Sequence, residues 1–301
     1  MIKLGQLLLA PALLLAIPAC AQAAKPTGAA GDTTHPALWV ARDHDTTIYL
    51  FGTVHVLKPG LPWFDEAVRA AFDRSGEVVL ELVQPEPAAM ARIVAAHATT
   101  PTDAPTLSST LSPAQRESYA KAVEQAGLPP AVFEHSKPWF AALNLSLLPL
   151  MKAGYDPANG PESVITAAAK TAGKPVAGLE TAEQQIGYFD TLSEPAQRAF
   201  LVSTLDELPK APAEMATMVA DWARGDPDAL AQLMNDDLKA SPEVAQVLLY
   251  RRNARWADWV KARMARPGTV FVAVGAGHLS GKGSVIDDLA GKGIVVQRVR
   301  Y

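Results

Sequence analysis

Short apolar runs at both ends of the chain enclose a long middle in which apolar residues return every three or four positions. Alternation or a brief continuous apolar run marks a strand, and a period of roughly 3.6 marks a helix. Ala37 to Arg42 and Thr47 to Val54 are β-rich and flank Asp43-His44-Asp45, which predicts a hairpin with His44 in a polar turn. Pro62 precedes Trp63 to Phe72, whose apolar residues fall at helical spacing before Gly76. Glu77 to Val83, EVVLELV, then reads as a short buried strand. Strand, helix, strand opens an α/β layer.

From Pro85 to Pro267 helical signals dominate, including Ser112-Pro113-Ala114-Gln115 as a capping box and Gly127 as a stop. Thr99 to Thr110 reads as a surface loop. After a helix from about Glu162 to Ala172, the segment Lys174 to Thr181 reads as a further strand with Glu180 at its end. Strand and helix alternate again over Thr269 to Gly275, Ser284 to Ala290 and Ile294 to Val299. The expected fold is α/β (α+β): a mixed central sheet built from N- and C-terminal strand-helix units, with a large helical insertion or cap over about residues 85–267. Residues 37–301 are expected to form a single domain.

Composition changes this picture at the amino terminus. Lys3 is the only charge before the apolar stretch Leu7 to Ala19, and small residues follow, so residues 1–23 read as a secretory signal peptide and 24–36 as a flexible tether. Pro11 and Pro18 interrupt the stretch, which is too short to span a bilayer, so no transmembrane span is expected. Ala21-Gln22-Ala23 offers a leader-peptidase site. Cys20, the only cysteine, leaves a lipid anchor open and excludes disulfides. The expected location is periplasmic or secreted, with an outer-membrane lipoprotein as the variant. With a net charge of −4 and no basic run, nucleic acid is not an expected partner.

Two segments repeat one pattern. In LFGTVHV a strand runs into Gly52 and His55 follows three residues later; in VAVGAGHLSGKGS a strand runs into Gly275 and His278 follows. Glycine there allows positive φ or close backbone approach, and side chains just past a strand's carboxyl end lie where open α/β sheets bind ligands. Gly52, Gly275 and Gly277 are thus candidate cofactor-binding positions. Each histidine could instead simply cap a strand. Glu81, embedded in EVVLELV, and Glu180 are carboxylates that burial would force to pair or to coordinate; on an edge strand they would face water instead. Arg252 and Asn253, within YRRNARW, could orient a carboxylate or polarise a carbonyl, or belong to a solvated basic face. No H-E-x-x-H, G-x-S-x-G or C-x-x-C is present, and AGHLSGKG lacks the residues of a P-loop. His35, His97 and His135 read as surface residues.

LFGTVHVLKPG with Trp63, VVLEL, GKPVAGLET with Gln185, RRNARW and VAVGAGHLSGKGSVIDDLAGKGIVVQRV together resemble the TraB/GumN family, related to the Tiki metalloproteases and more distantly to erythromycin-esterase-like and haem-binding ChaN-like proteins. The resemblance implies a mixed sheet with surrounding helices and a centre formed by His55, His278 and Glu81, with Glu180, Arg252 and Asn253 in support. It further implies that His55, Glu81 and His278 hold a divalent ion, Mn, Co or Zn, which lowers the pKa of bound water. The expectation is an exported metal-dependent hydrolase of a peptide, amide or small-molecule substrate. The alternatives are a non-catalytic periplasmic haem- or metal-binding protein of ChaN-like type, and an accessory factor for polysaccharide export.

Overall fold

A computed structural model describes residues 34–238 and 241–301. The leader, most of the tether and Cys20 lie outside the described residues. The strands are β1 (Leu38–Arg42), β2 (Thr46–Thr53), β3 (Glu77–Leu82), β4 (Val176–Glu180), β5 (Gly268–Gly275) and β6 (Val296–Arg298). They form one mixed sheet in the order β4-β3-β5-β2-β1-β6. The four strands from β4 to β2 run parallel, and β1 is antiparallel to both β2 and β6. Asp43 Oδ1 accepts the amides of Asp45 and Thr46, closing the expected polar turn between β1 and β2.

Both faces of the central strands are covered, so these strands are apolar on both sides, as a parallel layer requires. In β5, Phe271 and Ala273 join one core with Phe51, Val78 and Leu80, while Val270, Val272 and Val274 join a second with Ile48, Leu50 and Val79. This is the two-residue period of a strand read twice. The second core is closed by α11 (Arg251–Met264) and α12 (Val285–Gly291).

The first core is closed by α1 (Glu66–Arg74) and by the insertion between β3 and β5. Its helices are α2 (Pro87–Ala98), α3 (Pro113–Ala126), α4 (Pro138–Lys152), α5 (Pro161–Thr171), α6 (Ala182–Asp190), α7 (Glu194–Glu207), α8 (Ala211–Ala223), α9 (Pro227–Leu238) and α10 (Pro242–Ala245). The expected capping box forms at α3: Ser112 Oγ accepts from the amide of Gln115, and Gly127 closes the helix at φ 76°. Trp222 of α8 buries its indole and donates from Nε1 to the Gly52 carbonyl at 2.7 Å, pinning the cap to the end of β2. Among the described residues, no helix is long and apolar enough to cross a membrane.

Three readings shift. Thr34 to Pro36, assigned to the tether, are already packed, with His35 donating its amide to Ala223 O at 2.8 Å. The loop from Thr99 to Thr110 is tied at its start by a bridge between Thr99 and Ser136 and carries buried Leu107. His97, expected at the surface, is half-buried and bonded through Nδ1 to Asp190 at 3.0 Å.

Asp190 also accepts from Lys137, so α2, α4 and α6 meet at one carboxylate. Burial alone would raise its pKa; the hydrogen bonds from Lys137 and His97 outweigh that and hold it below 3.8. The contribution is therefore complete above pH 3.8 and fades as pH falls through the lower folded-state value. Asp190→Asn should cost about 1–2 kcal/mol in urea denaturation at pH 7. The difference from the parent should shrink on moving below pH 3.8, and a penalty independent of pH would contradict the assignment.

Candidate functional site

The carboxyl ends of β2, β3, β4 and β5 lie side by side, because all four strands point the same way. Thr53 pairs with Gly275 in the β2–β5 register, so the two G-x-x-H motifs leave the sheet next to one another, offset by one residue. Of the two reasons expected for their glycines, positive φ is not met and close approach is met at Gly52. Gly52, Gly275 and Gly277 do not adopt positive φ. At Gly52 the reason is close approach: a Cβ there would lie 3.1 Å from Ala276 Cα, a contact tight enough that the loop of the second motif would have to give by a few tenths of an ångström.

Glu81 shares the face of β3 with Val79, the face covered by α11, and Arg252 comes from α11 to meet it. The guanidinium, 1% exposed, donates from Nη2 to Glu81 Oε2 at 2.7 Å and to Glu180 Oε2 at 2.8 Å. Its Nε reaches both Glu180 oxygens at 3.1 Å, and Nη1 reaches Leu248 O and His278 Nε2, each at 3.2 Å. Leu248 lies in a π-helical turn, Gln246–Tyr250, leading into α11, a feature frequent at functional sites. Trp256 packs 4.8 Å from the guanidinium carbon and donates its own Nε1–H to Glu180 at 3.1 Å. Gln185 and Tyr188 of α6 complete the shell around Glu180 at 3.0 and 3.2 Å. Two carboxylates thus share one buried cation, the arrangement that makes burial of charge tolerable.

His278, 0% exposed, has its tautomer set by a chain of hydrogen bonds. Asn253 donates Nδ2 to Gly283 O at 2.7 Å, which turns Oδ1 toward His278 Nδ1 at 2.6 Å. Nδ1 therefore carries the proton and Nε2 accepts from Arg252. Burial first, then the positive charge of Arg252 and of His55, holds this imidazole well below 6.5 and so neutral. Glu81 is raised from 4.5 by burial and by Glu180, against the pull of Arg252 and His55. Its Oε1 accepts the Gly275 amide at 2.6 Å.

His55 stands on the other side of this network. Its Nδ1 lies 2.7 Å from Glu162 Oε1, to which Thr53 also donates at 2.6 Å. Burial would push Glu162 up, but His55 beside it and the two hydrogen bonds hold its carboxyl below 4.5. Its place in the first turn of α5 also suits a negative charge. His55, Glu81 and Glu162 line a cleft of about 890 Å³ between one face of α2 and one face of α5. His278, Glu180, Arg252 and Asn253 do not line it; they form the support behind.

The structure thus joins Glu81, Glu180, Arg252, Asn253 and His278 in one connected network and sets His55 on Glu162 at its edge. Glu162 was not singled out from sequence. Its signal there is only an acidic residue after Gly160-Pro161, and its partner is 107 positions away.

The divalent ion implied by the resemblance would need His55, Glu81 and His278 to converge on one point. As placed, they do not fit it. His278 Nε2 and Glu81 Oε1 come within 3.8 Å, but Arg252 holds both side chains, and like charges at such range repel strongly. Among the described residues, the His and acidic groups that close to within 4.8 Å as a triad are Asp43, His44 and Asp45, an exposed turn.

The TraB/PrgY/gumN family profile matches residues 37–298. The chain belongs to this family. Among curated proteins it is 30% identical over 179 residues to the "Uncharacterized protein YbaP" of Escherichia coli (strain K12) and, equally, to that of Shigella flexneri. The match covers 58% of this chain and 64% of each relative, so the chain spans somewhat less than two thirds of their length. No solved structure matches. The family match covers both motif histidines and the whole Arg252 network.

Replacing Arg252 with methionine should cost about 3–5 kcal/mol in chemical denaturation, because two buried carboxylates lose their cation. Co²⁺ should then raise the thermal midpoint of Arg252→Met more than that of the parent; equal shifts would show that the guanidinium does not compete for Glu81 and His278. Gly160→Ala should cost about 1–3 kcal/mol by overpacking, since its Cβ would lie 2.3 Å from the His55 carbonyl oxygen. An unchanged stability would mean that the start of α5 is free to move away from His55.

Proposed function

We propose that this chain is an exported hydrolase that cleaves an amide bond of a peptide-like substrate held in the cleft between α2 and α5. The observation that carries the reading is His55 at the cleft, its Nδ1 held by an ionised Glu162 at 2.7 Å, with Glu81 beside it. A carboxylate on Nδ1 makes Nε2 the basic atom of the ring and stabilises the imidazolium when it forms.

The proton transfers follow from that pairing. A water gives one proton to His55 Nε2 as its oxygen bonds to the amide carbon; the imidazolium passes that proton to the departing nitrogen as the carbon–nitrogen bond breaks. Glu162 stabilises the transient positive charge. The Arg252 clamp fixes Glu81, and His278, neutral and fully used by Asn253 and Arg252, holds the end of β5 against it.

The mature chain, purified without chelator, should cleave members of a peptide library read by mass spectrometry. His55→Ala and Glu162→Gln should each lower the rate by about 10²–10⁴. Turnover that survives His55→Ala would remove the proposed base and, with it, the reading. A second reading, ligand binding without turnover, draws support from the same geometry, since a large apolar cleft with a histidine at its side also suits haem. A Soret band lost in His55→Ala, with no cleavage of any peptide, would decide for that reading.

A further inference from the structure

The cleft has a chemical direction. Its α5 wall presents Glu162, Ser163, Thr166, Ala167 and Lys170, one helical face, and its α2 wall presents Met90 and Val94 on the facing one. Beyond His55, the ionisable residues lining it are Glu81 and Glu162 at one end and Lys170 at the other. Glu162 opens α5 and Lys170 lies in its last turn. Eight residues of helix at 1.5 Å each separate them by about 12 Å. Lys170 is exposed and has no carboxylate or carbonyl partner among the described residues, whereas both acidic residues at the far end are held by other side chains. Between the ends the lining is mostly apolar, with Leu80, Leu82 and Phe140 in addition to the α2 residues, and Ser163 and Thr166 of α5 are its uncharged polar members on that wall.

We infer that the cleft takes an apolar chain ending in a carboxylate, with Lys170 binding that carboxylate about 12 Å from the bond presented to His55. In an extended peptide, four residues at about 3.3 Å each span this distance, so the favoured ligand is an apolar peptide with a free carboxyl terminus some four residues past the reacting amide. The inference rests on the hydrolase reading for which bond is cut, and not for what is bound. Its physical basis is charge complementarity at the two ends of a mostly apolar groove: a carboxylate meets Lys170 at one end and acidic groups at the other, so Lys170 sets the direction in which the chain lies.

The test measures binding rather than turnover. Acetyl-Leu-Ala-Val-Leu as its free acid and as its carboxyl-terminal amide would be titrated calorimetrically into the full chain, into Lys170→Met and into Val94→Trp, each first checked by circular dichroism for an unchanged fold. The free acid should bind the parent about tenfold more tightly than the amide, corresponding to about 1.4 kcal/mol. Lys170→Met should bind the two equally, and Val94→Trp, which fills the groove, should bind neither. Dodecanoate that competes with the peptide acid on the parent but not on Lys170→Met would name an acyl chain as the source of the same chemistry. Equal binding of acid and amide by the parent, a preference that persists in Lys170→Met, or undiminished binding by Val94→Trp would each overturn the inference. A peptide acid that binds as described but is never cleaved would sink the hydrolase reading and leave this one standing; cleavage dependent on His55 with no acid preference would do the reverse.

Discussion

Everything around the site is arranged about one buried guanidinium. Arg252 ties β3 to β4 through Glu81 and Glu180, and ties both strands to the β5 loop through His278. It is the buried cation between the two carboxylates, and removing a carboxylate from water costs several kcal/mol unless it is paired and hydrogen-bonded. The donors of Arg252 also fix rotamers. Glu81 is left with one oxygen on the Gly275 amide and one on the guanidinium, so it is placed rather than mobile.

That support makes sense of two histidines with different environments on matching motifs. His278 is sealed, neutral and hydrogen-bonded at both nitrogens, and it functions as part of the frame. His55 sits on the cap side, where an insertion helix supplies Glu162 and the side chain lines the cleft. One repeated pattern therefore yields one histidine sealed behind the strands and one that lines the cleft. The difference arises from what packs on each face of the sheet: α11 over one motif, α5 over the other.

The cap converts a strand-edge site into a cleft. Its helices bury their apolar faces on the sheet and on one another, with Trp222 anchored to Gly52 and Trp139 stacked near Phe189. Between α2 and α5 this packing leaves a groove whose apolar walls lower the local dielectric, which strengthens interactions among His55, Glu81 and Glu162. The cleft is thereby lined from different parts of the chain, the helices of the insertion and the ends of the strands.

Local pattern was enough for the strands, the Asp43 turn, the capping box at Ser112 and the two histidines at strand ends, because each depends on residues a few positions apart. It also marked Glu81, Glu180, Arg252 and Asn253 as candidates, while leaving open that the glutamates faced water from an edge strand and that Arg252 and Asn253 lay on a solvated face. Which partners was not legible. Arg252 and Glu81 are 171 positions apart, and His55 and Glu162 are 107 apart, so only the parallel ordering of β2, β5, β3 and β4 and the seating of α5 could join them. The sequence by itself determined where the strands stopped and which polar side chains stood beside them, because both depend on residues a few positions apart. Tertiary structure decided that a guanidinium, rather than water, would stand between the two glutamates, and that one histidine would be sealed while the other faced the cleft, because burial and charge pairing are properties of the packed faces and not of the chain.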